Sequence, residues 1–310
     1  MADVPDDRPG DDLGAIFASV PGWDGRARVV GELEGGITNR NLVVAVGAES
    51  FVVRRCGRDT HLLEIDRDRE VEASSRAASL GIGPEVVDWI PESEALITRF
   101  VEGEPAAAAD IARPEVLAVV VARLRRFHDS GPLSGDFDAF RIPGRHEAVA
   151  RERGVVTPEA FRRAAGFAAE IADAFSVRPD PRVPCHNDLL STNIILTADG
   201  VRILDWEYAG NNNCYFDLAN LAVNNGFGPD LEERLIREYF GAVDRHRLAR
   251  LRLMRIISDF REATWALVQQ AVSTIAFDYA AYAEEHFDRL IGAATTEGYR
   301  RALVDAVQEG

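Results

Sequence analysis

The stretch Cys185-His186-Asn187-Asp188-Leu189-Leu190-Ser191-Thr192-Asn193-Ile194-Ile195-Leu196, followed shortly by Ile203-Leu204-Asp205-Trp206, is the part of the chain from which the rest can be read. Two apolar runs, Ile194 to Leu196 and Val201 to Leu204, flank Thr197-Ala198-Asp199-Gly200. An Asp-Gly between apolar runs is a strong hairpin signal, so the segment reads as strand, tight turn, strand. Pairing centred near Asp199 brings Asn193, entering the first strand, opposite Asp205, leaving the second. An amide oxygen and a carboxylate then meet at the hairpin mouth. A hard cation such as Mg²⁺ takes oxygen donors and keeps several waters, so these two ligands suffice where phosphates complete the shell.

The spacing His186-x-Asp188-x-x-x-x-Asn193 is that of kinase catalytic loops, in which the Asp accepts the proton of the attacking hydroxyl and the Asn holds Mg²⁺. His186, Asp188, Asn193 and Asp205 are therefore the candidate catalytic residues, with Asn193 and Asp205 as the metal ligands. Asp205 stands where the kinase Asp-Phe-Gly aspartate stands, with Trp206 in place of Phe.

Upstream, Val29 to Leu33, Leu42 to Val46 and Phe51 to Arg54 are short β-branched-rich segments separated by turn signals and read as antiparallel strands. The first connection contains Gly35, Gly36, Thr38 and Asn39. Paired glycines let backbone approach a ligand, and free N–H groups in such a turn cradle phosphate oxygens. Leu62 to Leu80 reads as a helix stopped by Gly81-Ile82-Gly83-Pro84. Glu85 to Ile90 and Ala95 to Phe100 read as two further strands. Val101-Glu102-Gly103-Glu104-Pro105 suits a hinge, dividing the chain into lobes 1–101 and 102–310. Beyond it the pattern turns helical: Pro114 to Asp129, a helix capped by Thr157-Pro158, Leu248 to Thr274 and Ala280 to Gly292. Residues 1–13 read as a flexible lead-in.

With 310 residues and 46% apolar composition, the chain can bury a substantial core. The net charge of −16 argues against a nucleic-acid partner or an anionic membrane surface, which need a basic patch. The longest strongly apolar run, Val116 to Ala122, is too short to span a bilayer. The acidic first twenty residues lack the basic and apolar regions of a signal peptide, so a soluble cytoplasmic protein is expected. All 35 basic residues are arginine. The absence of lysine excludes a P-loop Gly-Lys-[Ser/Thr] and Schiff-base chemistry. It also leaves Arg54 as the candidate phosphate-binding cation, with planar fork donors. Glu70 is its candidate partner, in competition with Glu64 and Glu72. Cys56, Cys185 and Cys214 form no Cys-x-x-Cys pair and read as reduced thiols.

In this order the pieces resemble the choline/ethanolamine kinase family, a branch of the aminoglycoside-phosphotransferase-like group. The likeness runs from about residue 30 to 275. It is carried by Gly35-Gly36-Ile37-Thr38-Asn39-Arg40-Asn41, Phe51-Val52-Val53-Arg54, Ile65-Asp66-Arg67 with Glu70, and His186-Asn187-Asp188. It continues through Ile203-Leu204-Asp205-Trp206-Glu207-Tyr208-Ala209-Gly210 and Phe216-Asp217-Leu218-Ala219-Asn220. The resemblance implies an α+β, two-lobed protein-kinase-like fold, with a small antiparallel sheet and one helix in the N-lobe and a mainly helical C-lobe. It implies ATP and Mg²⁺ as cofactors and a small-molecule amino alcohol as acceptor; a homodimer is admitted without being required. Asp188 would be the base and Arg54 a phosphate ligand paired with Glu70. Phe100 and Val101 would meet the adenine, and Asp217 would brace the catalytic loop. Glu207 stands open between a metal and an internal ion pair. Trp265 matches a family tryptophan, whereas Glu262 and Asn224 depart from eukaryotic members, which carry an aromatic and an acidic residue there. Positions 258, 262 and 265 share a helical face, so Glu262 and Trp265 could line one pocket; with Glu207 and Asn224, singled out by the resemblance, they are the candidate acceptor residues. The missing aromatic wall weakens the case for strict choline selectivity, and a carboxylate suits an ammonium that donates hydrogen bonds, so ethanolamine or another primary amine is as credible an acceptor as choline. An aminoglycoside or other sugar acceptor, or a non-catalytic binding module, are the alternative readings.

Overall fold

The computed structural model describes residues 13–33, 39–57 and 59–308. Its first helix, α1 (Leu13–Ser19), precedes strands β1 (Ala27–Leu33), β2 (Arg40–Val46) and β3 (Glu49–Arg55), then α2 (Arg67–Ser79), β4 (Val86–Ile90) and β5 (Ala95–Arg99). These strands form an antiparallel sheet in the order β1-β2-β3-β5-β4. Alternation along β2 buries Leu42, Val44 and Val46 on one face. Ile16, Val20 and Trp23 cover that face, so the segment from residue 13 onward is a packed cap.

Helix α2 is shorter than expected. Glu64 takes a left-handed conformation (φ 65°), and Asp66 caps the helix by accepting from Arg69 N at 3.0 Å. The expected start at Leu62 is instead a single 3₁₀ turn, Thr60–Leu63. Ala73 and Ala77 of α2 pack into the large helical core rather than the sheet's own cluster.

The chain then passes through β6 (Glu104–Pro105), α3 (Ala108–Ile111), α4 (Pro114–His128), α5 (Ile142–Glu152) and α6 (Glu159–Val177). Next come β7 (Arg182–Cys185), β8 (Ile194–Thr197), β9 (Gly200–Ile203) and β10 (Gly210–Asn213). Helices α7 (Cys214–Asn224), α8 (Pro229–Phe240), α9 (Arg245–Val272), α10 (Tyr279–Ala294) and α11 (Glu297–Asp305) complete the described residues. Gly103 sits at φ 152°, where a Cβ would run into the Leu196 carbonyl of β8, so the hinge can pair with the hairpin only through glycine. Helix α9 is buried on all sides from Ile256 to Gln269, and α5, α7, α10 and α11 pack around it. Among the described residues no helix is long and apolar enough to cross a membrane.

His146 of α5 is fully buried, its Nδ1 lying 3.3 Å from Thr264 Oγ1 of α9. Burial, helped by the nearby Arg261 charge, lowers its pKa to about 3. Because the folded pKa lies below the unfolded value, the stabilisation is complete above pH 6.5 and is lost as pH falls toward 3. At pH 5 the loss is expected to be about 2 kcal/mol. Thermal unfolding of wild type against His146→Gln from pH 7.5 to 5 checks it: the melting temperature of wild type should fall more steeply with acid.

Candidate active site

Strands β7 and β10 pair antiparallel and hold the loop that carries Asp188. Asn187 sits at φ 66°, a costly conformation for a residue other than glycine, and polar contacts hold it there. Its Nδ2 donates to Tyr208 O at 3.0 Å, and its Oδ1 accepts from Asn212 at 2.9 Å. Asp217, at the start of α7, accepts from His186 N at 2.8 Å, Asn187 N at 2.7 Å and His128 Nε2 at 2.9 Å. Burial alone would raise its pKa; the bonds to His128 and the loop bring it below the usual carboxylate value. Asp217 thus stands where it can brace the catalytic loop. His128, Cys185 and Asp217 lie close enough together to ligate an ion, but the His128 and Asp217 contacts are those of a buried hydrogen-bond network.

His186 Nε2 donates to Leu204 O at 2.8 Å while Nδ1 accepts from Asp188 N at 3.2 Å, an arrangement that needs the neutral imidazole. Burial lowers its pKa accordingly. His186 therefore ties the loop to the hairpin, a positioning part rather than a proton carrier.

The hairpin register differs by one residue from the expectation. Ile194 pairs with Ile203, and Leu204 N donates to Asn193 O at 2.8 Å, so Leu204 and not Asp205 lies opposite Asn193. The turn is the two-residue Ala198-Asp199, centred half a residue earlier. Asp205, at φ 61°, turns out of the strand where the chain leaves the ladder. Asn193 Nδ2 donates to Asp188 O at 3.0 Å, which commits the amide nitrogen to the loop and leaves its oxygen as the atom that could ligate a cation. Asp205 is one-third exposed and holds Arg54 Nη1 through Oδ1 at 2.6 Å. One amide and one accessible carboxylate, both oxygen donors, fit Mg²⁺ and not a thiolate- or imidazole-seeking metal.

Arg54, in β3, also pairs with the fully buried Glu70 of α2, the partner expected from the sequence. Glu64 instead pairs with Arg145 and Glu72 with Arg76. Arg67 reaches both Glu70 (2.6 Å) and Glu207 (3.2 Å), and Asn39 Nδ2 donates to Glu207 at 2.9 Å. Glu207 is thus an internal ion-pair partner in this structure, set apart from the acceptor group to which its sequence position assigned it. Burial and the Asp205 charge raise its pKa. Gly35, Gly36 and Thr38 lie outside the described residues. Phe100 donates its N–H to Ser50 O at 3.0 Å, so the adenine contact it can offer is its carbonyl, with Val101 following.

On the other side of Asp188 lies α9. Arg261 Nη1 donates to Glu262 Oε1 at 2.5 Å and approaches Asp188 Oδ1 at 3.4 Å. Its guanidinium carbon stands 4.1 Å from the centroid of the Tyr208 ring. Burial pushes the Asp188 carboxyl well above the usual range, and the Arg261 charge opposes that shift. Tyr282 OH donates to Glu262 Oε2 at 3.3 Å, and Trp265 Nε1 donates to Tyr208 OH at 2.9 Å. Trp265 meets Tyr279 and Tyr282 edge-on at 5.9 and 6.0 Å. Glu262 and Trp265 therefore do share one region beside Asp188, whereas the Asn224 side-chain nitrogen, at the end of α7, is buried with no hydrogen-bond partner among the described residues. The sequence reading missed Arg261, Tyr208 and Tyr282. The signal available for Arg261 was Asp259-Phe260-Arg261-Glu262, charges set in a stretch of α9, Ile256 to Val272, that is otherwise uncharged.

The loop carrying Asp188, the oxygen donors of Asn193 and Asp205, and the buried Arg54–Glu70 pair beside a small antiparallel sheet are the arrangement of a protein-kinase-like phosphotransferase acting on an alcohol group. A family model described as "Phosphotransferase enzyme family" matches residues 29–251, and the chain belongs to that family. Ethanolamine kinase 1 of Mus musculus is 25% identical, over 87% of this chain and 85% of its own length. Protein LicA of Haemophilus influenzae is 24% identical, over 79% and 75%. Among solved structures, a choline/ethanolamine kinase family protein from Mesorhizobium loti superposes with a TM-score of 0.82 at 27% identity, covering 96% of this chain and 98% of that one. An aminoglycoside phosphotransferase solved with ADP and hygromycin B has the same fold, with a TM-score of 0.60 at 18% identity over 93% and 99%.

Proposed function

We infer that the protein is a cytoplasmic kinase that transfers the γ-phosphoryl group of ATP to the hydroxyl of a small amino alcohol of the choline or ethanolamine type. The observation that carries this is the pairing of Asp188 with a carboxylate, Glu262, on the same guanidinium, beside aromatic side chains. One group takes the hydroxyl proton, and the other takes an ammonium a short distance away along the same molecule. The relatives named for ethanolamine kinase activity support the same acceptor class.

In this reading residues 1–101 hold the nucleotide and 102–310 hold the acceptor. Arg54, kept in place by Glu70, lies against the phosphates with Asn39 nearby, and Phe100 and Val101 meet the adenine. Asn193 and Asp205 would hold Mg²⁺, which offsets negative charge on the phosphates. Asp188 orients the acceptor hydroxyl in line with the γ-phosphorus and accepts its proton as the new P–O bond forms and the bond to the β,γ-bridging oxygen breaks, releasing ADP. Glu262 fixes the ammonium end, and Trp265 and Tyr282 exclude water beside it.

The test is ATP consumption with Mg²⁺ over choline, ethanolamine, other amino alcohols and aminoglycosides. Turnover with an amine of a few carbons supports the reading; turnover with aminoglycosides alone moves the acceptor to the sugar class that the shared fold also serves. Glu262→Ala is expected to raise KM for the amine about tenfold or more and to change kcat less, as loss of an ion-paired contact present in both ground and transition state requires. Unchanged saturation kinetics would remove Glu262 from the acceptor site.

A further inference from the structure

Resting on the amino-alcohol reading, we propose that Arg261 is a resident cation of the acceptor site and sets its choice of head group, favouring a primary ammonium over a quaternary one. Two features near Asp188 could recognise a positive head: the carboxylate of Glu262 and the face of Tyr208. The guanidinium of Arg261 already engages both. Its Nη1 lies 2.5 Å from Glu262 Oε1, and its central carbon stands 4.1 Å from the Tyr208 centroid. Its Nε and Nη2 find no hydrogen-bond partner among the described residues, so the group is held at one corner by two carboxylates and along its plane by the ring.

The consequence differs for the two kinds of ammonium. A trimethylammonium donates no hydrogen bond and depends on desolvated aromatic faces. Here the face of Tyr208 is covered by a like charge, and Trp265, Tyr279, Tyr282 and Phe277 pack against one another, with ring centroids 4.9 to 6.0 Å apart. A primary ammonium needs oxygen acceptors, and Glu262 Oε2 offers one whose present partner, the Tyr282 hydroxyl, is a weak contact at 3.3 Å.

The experiment measures kcat/KM for ethanolamine, its N-methyl and N,N-dimethyl derivatives and choline in wild type, Arg261→Met and Arg261→Lys. Melting shifts with ethylammonium and tetramethylammonium chloride are read alongside. Wild type should favour ethanolamine over choline at least about tenfold, falling with each methyl. Arg261→Met should narrow that ratio about tenfold, in line with one uncovered aromatic face. Arg261→Lys keeps a charge for both carboxylates without a planar group over Tyr208; it should narrow the ratio a few-fold and serves if the Met variant does not fold. A ratio unchanged in the folded variants, or choline equal to ethanolamine in wild type, overturns the role of Arg261 and leaves the amino-alcohol reading standing. If no amine is turned over, that reading fails, and the melting shifts still decide. Discrimination between the two ammonium salts that disappears with Arg261 supports the proposal; its absence in wild type overturns it.

Discussion

Asp188→Asn lowers turnover about a thousandfold, within the range that removal of a positioned general base produces, and leaves the ATP-induced rise in melting temperature in place. The two readouts separate because of where Asp188 sits. Its carboxylate faces Arg261 of α9, while the residues proposed to meet the nucleotide, Arg54, Glu70 and Asp205, pair among themselves. Asparagine keeps the size of the side chain and can keep the contact with Arg261 through its oxygen, so the fold survives. What it loses is the capacity to accept a proton. Retention of a tenth or more of wild-type turnover would show that Asp188 only orients the hydroxyl and that the proton leaves later to solvent. Loss of the nucleotide-induced shift would place Asp188 in ATP binding instead.

Much of this site could be read from the sequence because its parts lie close along the chain. His186, Asp188, Asn193 and Asp205 fall within twenty residues, and the Asp-Gly signal of one hairpin gathers them. The single register error had a local cause: apolar runs fix which residues pair only to within one, and the left-handed turn at Asp205 cannot be inferred from its neighbours. The Arg54–Glu70 pair was legible for a different reason. Without lysine, few cations near the third strand could take that position, and a helix nearby supplied the acid. The sheet followed from alternation, whereas the short strands β7, with Pro184, and β10, Gly210 followed by three asparagines, give little β signal; Asn211 of β10 is held by side-chain bonds to Leu133 and Gly135. Helix α5 contains Pro143 and Gly144 in its first turn and shows little periodicity until its packing partner α9 is known. Arg261 was the hardest to foresee. A buried guanidinium is defined by what surrounds it, and Asp188, Tyr208 and Glu262 come from two separate stretches of chain.

Replacement of Asp205 should cost at least as much as replacement of Asp188, because phosphoryl transfer depends chiefly on positioning and charge. Asp205→Ala removes the proposed metal ligand, the partner of Arg54 at 2.6 Å and a residue type tolerant of φ 61° at once, so lost activity in that variant has three candidate causes. Asp205→Asn separates them. Asparagine adopts left-handed backbone readily, keeps an oxygen for Arg54 and lacks only the negative charge. If the carboxylate holds Mg²⁺, turnover of the Asn variant falls about a thousandfold at millimolar Mg²⁺, with part of it recovered as Mg²⁺ is raised. Its melting temperature should stay near wild type, while that of the Ala variant drops by the cost of backbone strain, on the order of 1 kcal/mol. Near-normal turnover in Asp205→Asn would move the metal away from this hairpin. The pair Arg54–Asp205 would then be the functional unit, with the carboxylate serving to aim a phosphate-binding arginine that Glu70 already holds from the other side.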